Sequence, residues 1–432
     1  MPAVARQVKA GRPSQTRERA ALVGLALRRS KRLDSERSLE ELAGLAEAAG
    51  AAVALSVIQE RPAPDPATFL GSGKLDELAR DCARFSIDVV VFDNELSPAQ
   101  LRQIEERLDR KVVDRTQLIL DIFARRARTR EGKWQVELAQ LKYLLPRLVG
   151  AGGALSRLGG GIGTRGPGET KLETDRRRIR QRIHAVSGEI ESIRRRRSHL
   201  RGRRRKASVP LVALVGYTNA GKTTLFNLLT RESAETSDAL FVTLDPLVRQ
   251  ISLPDQRQLL VSDTVGFIDR LPHTLVAAFR ATLEQVAEAD LILHVIDAAS
   301  PDCERHMEAV RRVLEEVGAA NVAGMNVLNK CDLLEAAEIE RLGRAYPGSL
   351  RISALKGKGR SAVVAAVAER LQLDTHRVKL EFDADNPEDR ERIARLYRHA
   401  RVVSHVDTDG RVAIEAEMPR RVLDRVKAAA GR

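Results

Sequence analysis

Aromatic residues are scarce: nine phenylalanines, four tyrosines and one tryptophan make up 3% of 432 residues. A surface that binds single-stranded nucleic acid by stacking bases on rings is therefore poorly provided for. Cysteine is scarcer. Cys82, Cys303 and Cys331 lie far apart, which argues against a disulfide framework and against a zinc site. No apolar run approaches the roughly twenty residues that cross a bilayer. Ala20 to Leu27 follows basic residues, but it is short and runs into Arg28-Arg29-Ser30-Lys31-Arg32, a poor cleavage region. We read it as a buried strand, and expect a cytoplasmic chain with no membrane span, partly associated with its partner and monomeric when free.

Two things are plentiful. Apolar residues reach 43%, enough for sizeable cores. Lysine and arginine number 73 against 59 acids, a net +14 that points to a polyanionic partner. The length allows three or four domains. The expected fold class is α/β and multidomain, with a small N-terminal parallel α/β domain, an antiparallel helical hairpin and a small C-terminal α/β module around one larger α/β domain.

Gly216-Tyr217-Thr218-Asn219-Ala220-Gly221-Lys222-Thr223 reads G-x-x-x-x-G-K-T. The apolar run Leu211 to Val215 leads in, and Leu225, Phe226, Leu228 and Leu229 follow at helical spacing. Strand, glycine loop and helix in that order form a phosphate cradle, whereas a glycine turn ending by chance in Lys-Thr needs no such flanks. Helix N-terminal N–H groups add positive charge, extending the contact through Thr224. Lys222 is expected to reach the β- and γ-phosphates, and the Thr223 hydroxyl to bind Mg²⁺.

The remaining parts of a guanine-nucleotide site follow in order. Asp263-Thr264-Val265-Gly266 ends the strand Leu259 to Ser262; Asp263 would hold Mg²⁺ through a water, and the Gly266 N–H would meet the γ-phosphate. Thr243, in Phe241-Val242-Thr243, is the candidate to complete the Mg²⁺ shell when the γ-phosphate is present. That would make 233–247 a loop that orders with GTP and releases after hydrolysis. Asn329-Lys330-Cys331-Asp332 ends the run Val322 to Leu328. One carboxylate can accept two parallel hydrogen bonds from guanine, whereas adenine would leave Asp332 unpaired, so Asp332 sets base choice. Asn329 would brace loop and base, and the Lys330 stem cover the base plane. Backbone N–H groups of Ser353-Ala354-Leu355 would meet the guanine oxygen. Each short motif alone is weak; all of them in order at strand ends are strong. Catalytic roles fall to Lys222, Thr243 and Gly266. Phe267 stands where Ras-like enzymes place a glutamine that orients water, so hydrolysis is expected to be slow alone or completed by another group or a partner. Asp297 ends a strand near this face. His294 reads as a core residue, and nothing supports a role for His273.

In the N-terminal third, 1–19 reads as a mobile basic arm. Strand-like runs at 21–27, 52–58, 89–92 and 112–113 alternate with helical patterns at 39–49, 75–85 and 99–108, which predicts a mostly parallel sheet over 20–114. Gly71-Ser72-Gly73-Lys74 lacks the first glycine of a phosphate loop and reads as a helix start or an RNA contact. From about Thr116 to Val149 the pattern is helical, with Trp134, Leu138, Leu141, Leu145 and Leu148 as a seam. A glycine-rich stretch, 158–168, follows, then a second long helix with Leu172, Ile179, Ile183, Val186, Ile190, Ile193 and Leu200 in one heptad register. Together 115–206 predicts a basic helical hairpin with a glycine-rich tip. Residues 169–206 hold 15 lysines and arginines against 5 acids, a surplus of ten in the chain's +14. A one-sign block self-repels unless an anion screens it. Arg176, Arg177, Arg180, Arg194 and Arg195 on this helix, with Arg157 and Arg165 at the tip, are candidate contacts to folded RNA.

Further stretches complete a resemblance: Phe92-Asp93-Asn94-Glu95-Leu96-Ser97-Pro98-Ala99-Gln100, Asp114 through Phe123, Gln135 through Leu141, and Gly160 through Glu169. Over about residues 70–360 the chain resembles the HflX family of bacterial ribosome-associated GTPases. The resemblance implies that it binds the large (50S) ribosomal subunit and its rRNA through the N-terminal and helical parts, towards the peptidyl transferase region. It implies splitting of stalled or idle ribosomes, notably under stress, with ribosome-stimulated conversion of GTP to GDP. It also implies K⁺ at Asn219, offsetting the missing glutamine. Departures are small: Thr223 for a usual Ser, Val242 and Leu247 for a usual Ala and Thr, and Gln103 for a usual Asn. The GTPase domain is placed at 207–373. A C-terminal module at 374–432 alternates again, with strands expected at 378–382, 400–404 and 412–416 and helices at 387–397 and 420–429. Rival readings are a subunit-assembly factor, an ATP-dependent RNA-remodelling enzyme, and a scaffold that does not hydrolyse.

Overall fold

The computed structural model describes residues 17–27, 32–148, 171–207, 209–232, 234, 240–253, 258–270, 285–371, 375–408, 410–419 and 423. Two compact units emerge: Met1–Arg125 with Gln140–Arg180, and Arg126–Ala139 with Gln181–Arg432.

In the first unit β1 (Arg19–Leu27), β2 (Ala52–Arg61), β3 (Val89–Phe92) and β4 (Lys111–Asp114) form a sheet in the order β2-β1-β3-β4, parallel throughout. The helices α1 (Arg32–Ala48), α2 (Ser72–Arg84) and α3 (Pro98–Leu108) are the crossovers such pairing demands. Ala21, Val23, Val90, Phe92 and Val112 from the strands bury against Leu75, Leu78 and Ile104 from α2 and α3. The α3 start is fixed locally: Ser97 accepts from the Gln100 amide and Gln100 reaches back to the Ser97 amide, with Pro98 in the first turn. Gly71 to Lys74 does open a helix, and Lys74 pairs with Glu77 at 2.9 Å.

Beyond β3 and β4 lies a buried ion cluster. Arg115, 4% exposed, donates to Asp93 at 2.9 Å and to Glu41, and Ser38 donates to Asp93 at 2.6 Å. Burial works against the Arg115 charge, but Glu41 and Asp93 outweigh it and hold the guanidinium above its ordinary range.

The helical pattern from Thr116 to Val149 is not one helix, as the sequence led us to expect. It is α4 (Arg115–Arg126) and α5 (Arg130–Arg147), broken at 127–129. Thr129 is the reason: its hydroxyl accepts from the Gly132 amide at 3.0 Å, the geometry of an N-cap, which starts a new helix. Near its other end α5 is held by Arg147, which donates to Asp114 at 3.0 Å and stacks over Tyr143. The long helix α6 (Lys171–Ala207) keeps Val186 buried and Ile179, Ile183, Ile190 and Ile193 half-buried, so those members of the expected seam share a face. The side chains of Leu172 and Leu200 lie outside the described residues, as does the glycine-rich stretch 158–168 with Arg165, and Arg157 beside it.

In the second unit a six-stranded sheet runs β10-β9-β8-β5-β7-β6, built from β5 (Leu211–Val215), β6 (Leu247–Ser252), β7 (Gln258–Asp263), β8 (Leu291–Asp297), β9 (Gly324–Asn329) and β10 (Leu350–Arg351). All pairs are parallel except β6 with β7. The sequence reading missed β6, because only Leu247 and Ile251 of its six residues pack on the core. The described crossovers are α7 (Lys222–Thr230), α8 (Cys303–Glu316) and α9 (Ala336–Ala345); α10 (Arg360–Arg370) follows β10, the last strand of the sheet. Finally β11 (Thr375–Asp383), α11 (Pro387–His399), β12 (Arg401–Thr408) and β13 (Arg411–Pro419) make an antiparallel sheet, order β11-β13-β12, with Leu396 of α11 on its core. The helix expected at 420–429 lies outside the described residues except Leu423.

Removing one partner of a buried cluster leaves the other charges unpaired, which costs about 3–5 kcal/mol. Arg115→Met should therefore lower the denaturant-unfolding free energy of the first unit by about that much. A loss below about 1 kcal/mol, the range of exposed ion pairs, would contradict the role given to Arg115.

Candidate nucleotide site

Parallel strands bring their carboxyl ends to one edge, where an α/β sheet presents loops to a ligand. Here β5 delivers the glycine loop, β7 ends in Asp263, β8 in Asp297 and β9 in Asn329. These loops, with 241–243, line an open cavity of about 420 Å³.

The loop itself is held from both sides. The Phe267 amide donates to the Gly216 carbonyl at 3.1 Å, and the Thr218 amide donates to the Phe267 carbonyl at 2.7 Å. Gly221 sits at φ +89, and a Cβ there would lie 2.2 Å from the Asn329 amide nitrogen, so only glycine fits. Asn329, 2% exposed, donates to the Ala220 carbonyl and accepts from the Ala354 amide, both at 2.9 Å. One side chain thus ties the phosphate loop to the 353–355 loop. Ser353 and Ala354 are buried, while Leu355, 77% exposed, lines the cavity.

Lys222 is buried, and its ammonium donates to the Tyr217 carbonyl at 2.8 Å. Burial pulls its pKa down to about 8, partly offset by the nearby Asp263. Asp263 is fully buried at the end of β7; burial raises its pKa, against the pull of Lys222, Thr223 and Thr243. Its Oδ2 accepts from Thr223 at 2.7 Å and from Thr243 at 3.2 Å, and the two hydroxyls lie 2.8 Å apart. Its Oδ1 is buried without a hydrogen-bond partner. Three oxygens crowded together, one from an unsatisfied carboxylate, are a hard-donor set of the kind a small divalent cation takes. Phe241 and Leu244 are buried on either side of Thr243. Thr264 donates to the Leu214 carbonyl at 2.6 Å, and Val265 is buried.

A Cβ on Gly266 would fall 2.9 Å from the Thr218 backbone and 3.0 Å from the Lys222 nitrogen, so a side chain there would displace the lysine. Phe267 is 1% exposed and packed inward, away from any role in orienting water. Asn219 is exposed in the loop at φ 58. Thr224 and Val242 are half-buried at the cavity wall.

At the base end, Asp332 is exposed in a 3₁₀ turn, and a hydrogen bond from Ser353 holds its carboxyl below the usual range. Lys330 pairs with Asp297 at 2.8 Å, which fixes its stem. Leu333 and Leu355, both exposed, offer apolar walls. His294 on β8 is held down to about 4, first by burial and then by Lys222, and stays neutral. His273 lies outside the described residues.

The contacts of His306, Asp269, Arg305 and Asp245 escaped the sequence reading. Tyr217 stacks on His306 with ring centres 3.8 Å apart, and its hydroxyl accepts from the Asp269 amide at 2.8 Å. Arg305 pairs with Asp269 at 2.6 Å, so α8 clamps the start of the loop after Gly266. Asp245 accepts from the backbone amides of Arg128 and Thr129, just before α5. Nothing local marks these pairings. The exception is Thr129, whose N-cap residue type gave a signal.

A parallel sheet whose loops carry a G-x-x-x-x-G-K-T cradle, a carboxylate beside two threonine hydroxyls, and an Asn-Lys-x-Asp turn defines a P-loop GTP-binding GTPase. The family profiles agree: residues 36–124 match one described as GTP-binding GTPase N-terminal, 126–204 a GTP-binding GTPase middle region, and 211–330 a 50S ribosome-binding GTPase. GTPase HflX of Caldanaerobacter subterraneus is 44% identical over 415 residues, 96% of this chain and 94% of its own length. GTPase HflX of Escherichia coli is 43% identical over 407 residues, 93% of this chain and 94% of its own. A crystal structure of a GTP-binding protein from Sulfolobus solfataricus in complex with GDP is 25% identical, covering 83% of this chain and all of that one at a TM-score of 0.43. The chain belongs to the HflX family of GTPases and hydrolyses GTP.

The two ends of the site should fail differently. Asn329→Ala strands a buried N–H and a buried carbonyl, each worth about 1–3 kcal/mol, so the melting temperature falls. Asp332→Ala removes an exposed carboxylate. It should leave melting nearly unchanged yet weaken GTP roughly a hundredfold or more, and erase the preference over ATP. Equal melting losses, or guanine selectivity surviving without Asp332, would contradict this division.

Proposed function

We propose that the chain is a large-subunit-binding GTPase whose nucleotide state controls docking on the ribosome, and that it separates stalled or idle ribosomes into subunits, notably under stress. One observation carries the reading. Thr243, whose hydroxyl meets Thr223 and Asp263, lies in the same unit as Arg194 and Arg195, which α6 exposes to solvent. Arg177 and Arg180 are likewise exposed on α6, and Arg176 is half-buried. The 50S ribosome-binding profile matched by residues 211–330 supports the choice of polyanion. Folded rRNA suits arginines and a chain poor in aromatics. Among the described residues no helix is long and apolar enough to cross a membrane.

In this reading Thr223, Thr243 and Asp263 hold Mg²⁺, which supplies positive charge to the phosphate oxygens when bound. Lys222 leaves the Tyr217 carbonyl for the β- and γ-phosphates. The Gly266 N–H meets the γ-phosphate, and Asp332 pairs with guanine. With Phe267 unable to orient water, turnover is slow alone and is completed on the ribosome, with K⁺ held at Asn219. Loss of the γ-phosphate removes the interaction that favours the docked state. We also propose the division into an arm at 1–19, an N-terminal domain at 20–114, a helical hairpin at 115–206, a GTPase domain at 207–373 and a C-terminal module at 374–432.

Large subunits should raise GTP turnover well above the rate of the protein alone, and turnover should be faster in K⁺ than in Na⁺. On a sucrose gradient, intact ribosomes mixed with protein and a non-hydrolysable GTP analogue should shift to subunits. Stimulation without any shift would support an assembly factor instead, and turnover absent even with subunits would support a scaffold.

A further inference from the structure

The carboxylate of Asp245 lies two residues beyond Thr243 and seals the start of α5. Its Oδ2 accepts from the backbone amides of Arg128 and Thr129, each at 2.8 Å. Its Oδ1 accepts from the Thr129 hydroxyl, which itself accepts from the Gly132 amide. The carboxylate fits only because residue 132 is glycine, since a Cβ there would lie 2.2 Å from Oδ1. A carboxylate beside the positive end of a helix is favourable both as a hydrogen-bond acceptor for the amides leading into it and against the helix dipole. Farther along α5, Glu137 takes two hydrogen bonds from Arg182 of α6, at 2.5 and 2.9 Å. Asp245, two residues from Thr243, thus touches the residues that start α5, and α5 touches Arg182 of α6, all inside one unit; Arg194 and Arg195 lie farther along the same helix.

The short 241–246 segment has little room to move in parts. Phe241 and Leu244 are buried, Pro246 restricts the backbone, and β6 begins at Leu247, paired with Asp263 itself. A shift of Thr243 on or off the phosphate site therefore moves Asp245 with it.

We propose that Asp245 is a positioning residue that couples the phosphate-sensing threonine to the start of α5. The nucleotide that holds Thr243 strengthens the cap, and the cap in turn holds Thr243 in place. Coupling of this kind is reciprocal, so anything that fixes α5 from outside also favours GTP. The inference rests on the reading of Thr243 given above.

The test is amide hydrogen exchange on the full chain with GDP and with a non-hydrolysable GTP analogue, both with Mg²⁺, read at 241–246 and at 126–139. In the natural protein both segments should be better protected with the analogue. Asp245→Ala should abolish the difference at 126–139 and reduce the analogue-over-GDP affinity ratio about three- to tenfold, the size of a lost cap. Asp245→Asn, which keeps an acceptor oxygen, should restore part of both. Gly132→Ala reaches the same contact from the other side with Asp245 intact, and should reproduce the uncoupling. A nucleotide difference at 126–139 that survives Asp245→Ala would overturn the proposal. So would a difference confined to 241–246 in the natural protein, which would leave the functional reading intact. No response in either segment would overturn the reading of Thr243 and the coupling with it.

Discussion

A carboxylate with one oxygen that no protein group satisfies is costly to bury, and Asp263 is that group. The sheet places it there because β7 lies between β5 and β6, with the phosphate loop on one side and Leu247 paired on the other. Lys222, itself buried and pulled down in pKa, is the nearby countercharge. Two threonine hydroxyls satisfy one carboxylate oxygen and leave the second. Much of the remaining site follows from keeping these groups in place. Asn329 braces the loop from behind, and Phe267 lends its backbone to it. Tyr217, His306, Asp269 and Arg305 pin the next segment.

The arrangement has a cost and a use. Charges already held in place by the fold gain strongly when a ligand of opposite sign arrives, because little reorganisation is left to do. The same constraint makes Thr243 responsive: its hydroxyl shares the carboxylate oxygen with Thr223, and its segment is anchored at both ends. In the proposed reading, this is how a small change at a phosphate reaches an arginine-bearing helix.

The nucleotide site was legible in the sequence because its chemistry is local. Gly221, Lys222, Asp263, Asn329 and Asp332 sit at strand ends, each in a short motif whose spacing is set by the turn it makes. The parallel N-terminal sheet was legible for a similar reason, since Ala21–Leu27 and Val89–Phe92 are buried runs flanked by helical periods. What stayed hidden depends on distant residues. The break between α4 and α5 is made by one threonine and fixed by Asp245, 116 residues away. Strand β6 is an edge with two core-facing residues, so alternation could not show it. The stacking of Tyr217 on His306 joins elements that no periodicity relates. The arginines of α6 were readable as a charged face, but charge alone does not name its partner.

The central claim is that the terminal phosphate sets how firmly the protein holds the large ribosomal subunit. Isothermal titration of large subunits into protein saturated with GDP, and into protein saturated with a non-hydrolysable GTP analogue, measures this directly. The account predicts much tighter binding with the analogue, weakening steeply with salt in both cases as phosphate contacts require. Equal affinities for the two nucleotide states would contradict it.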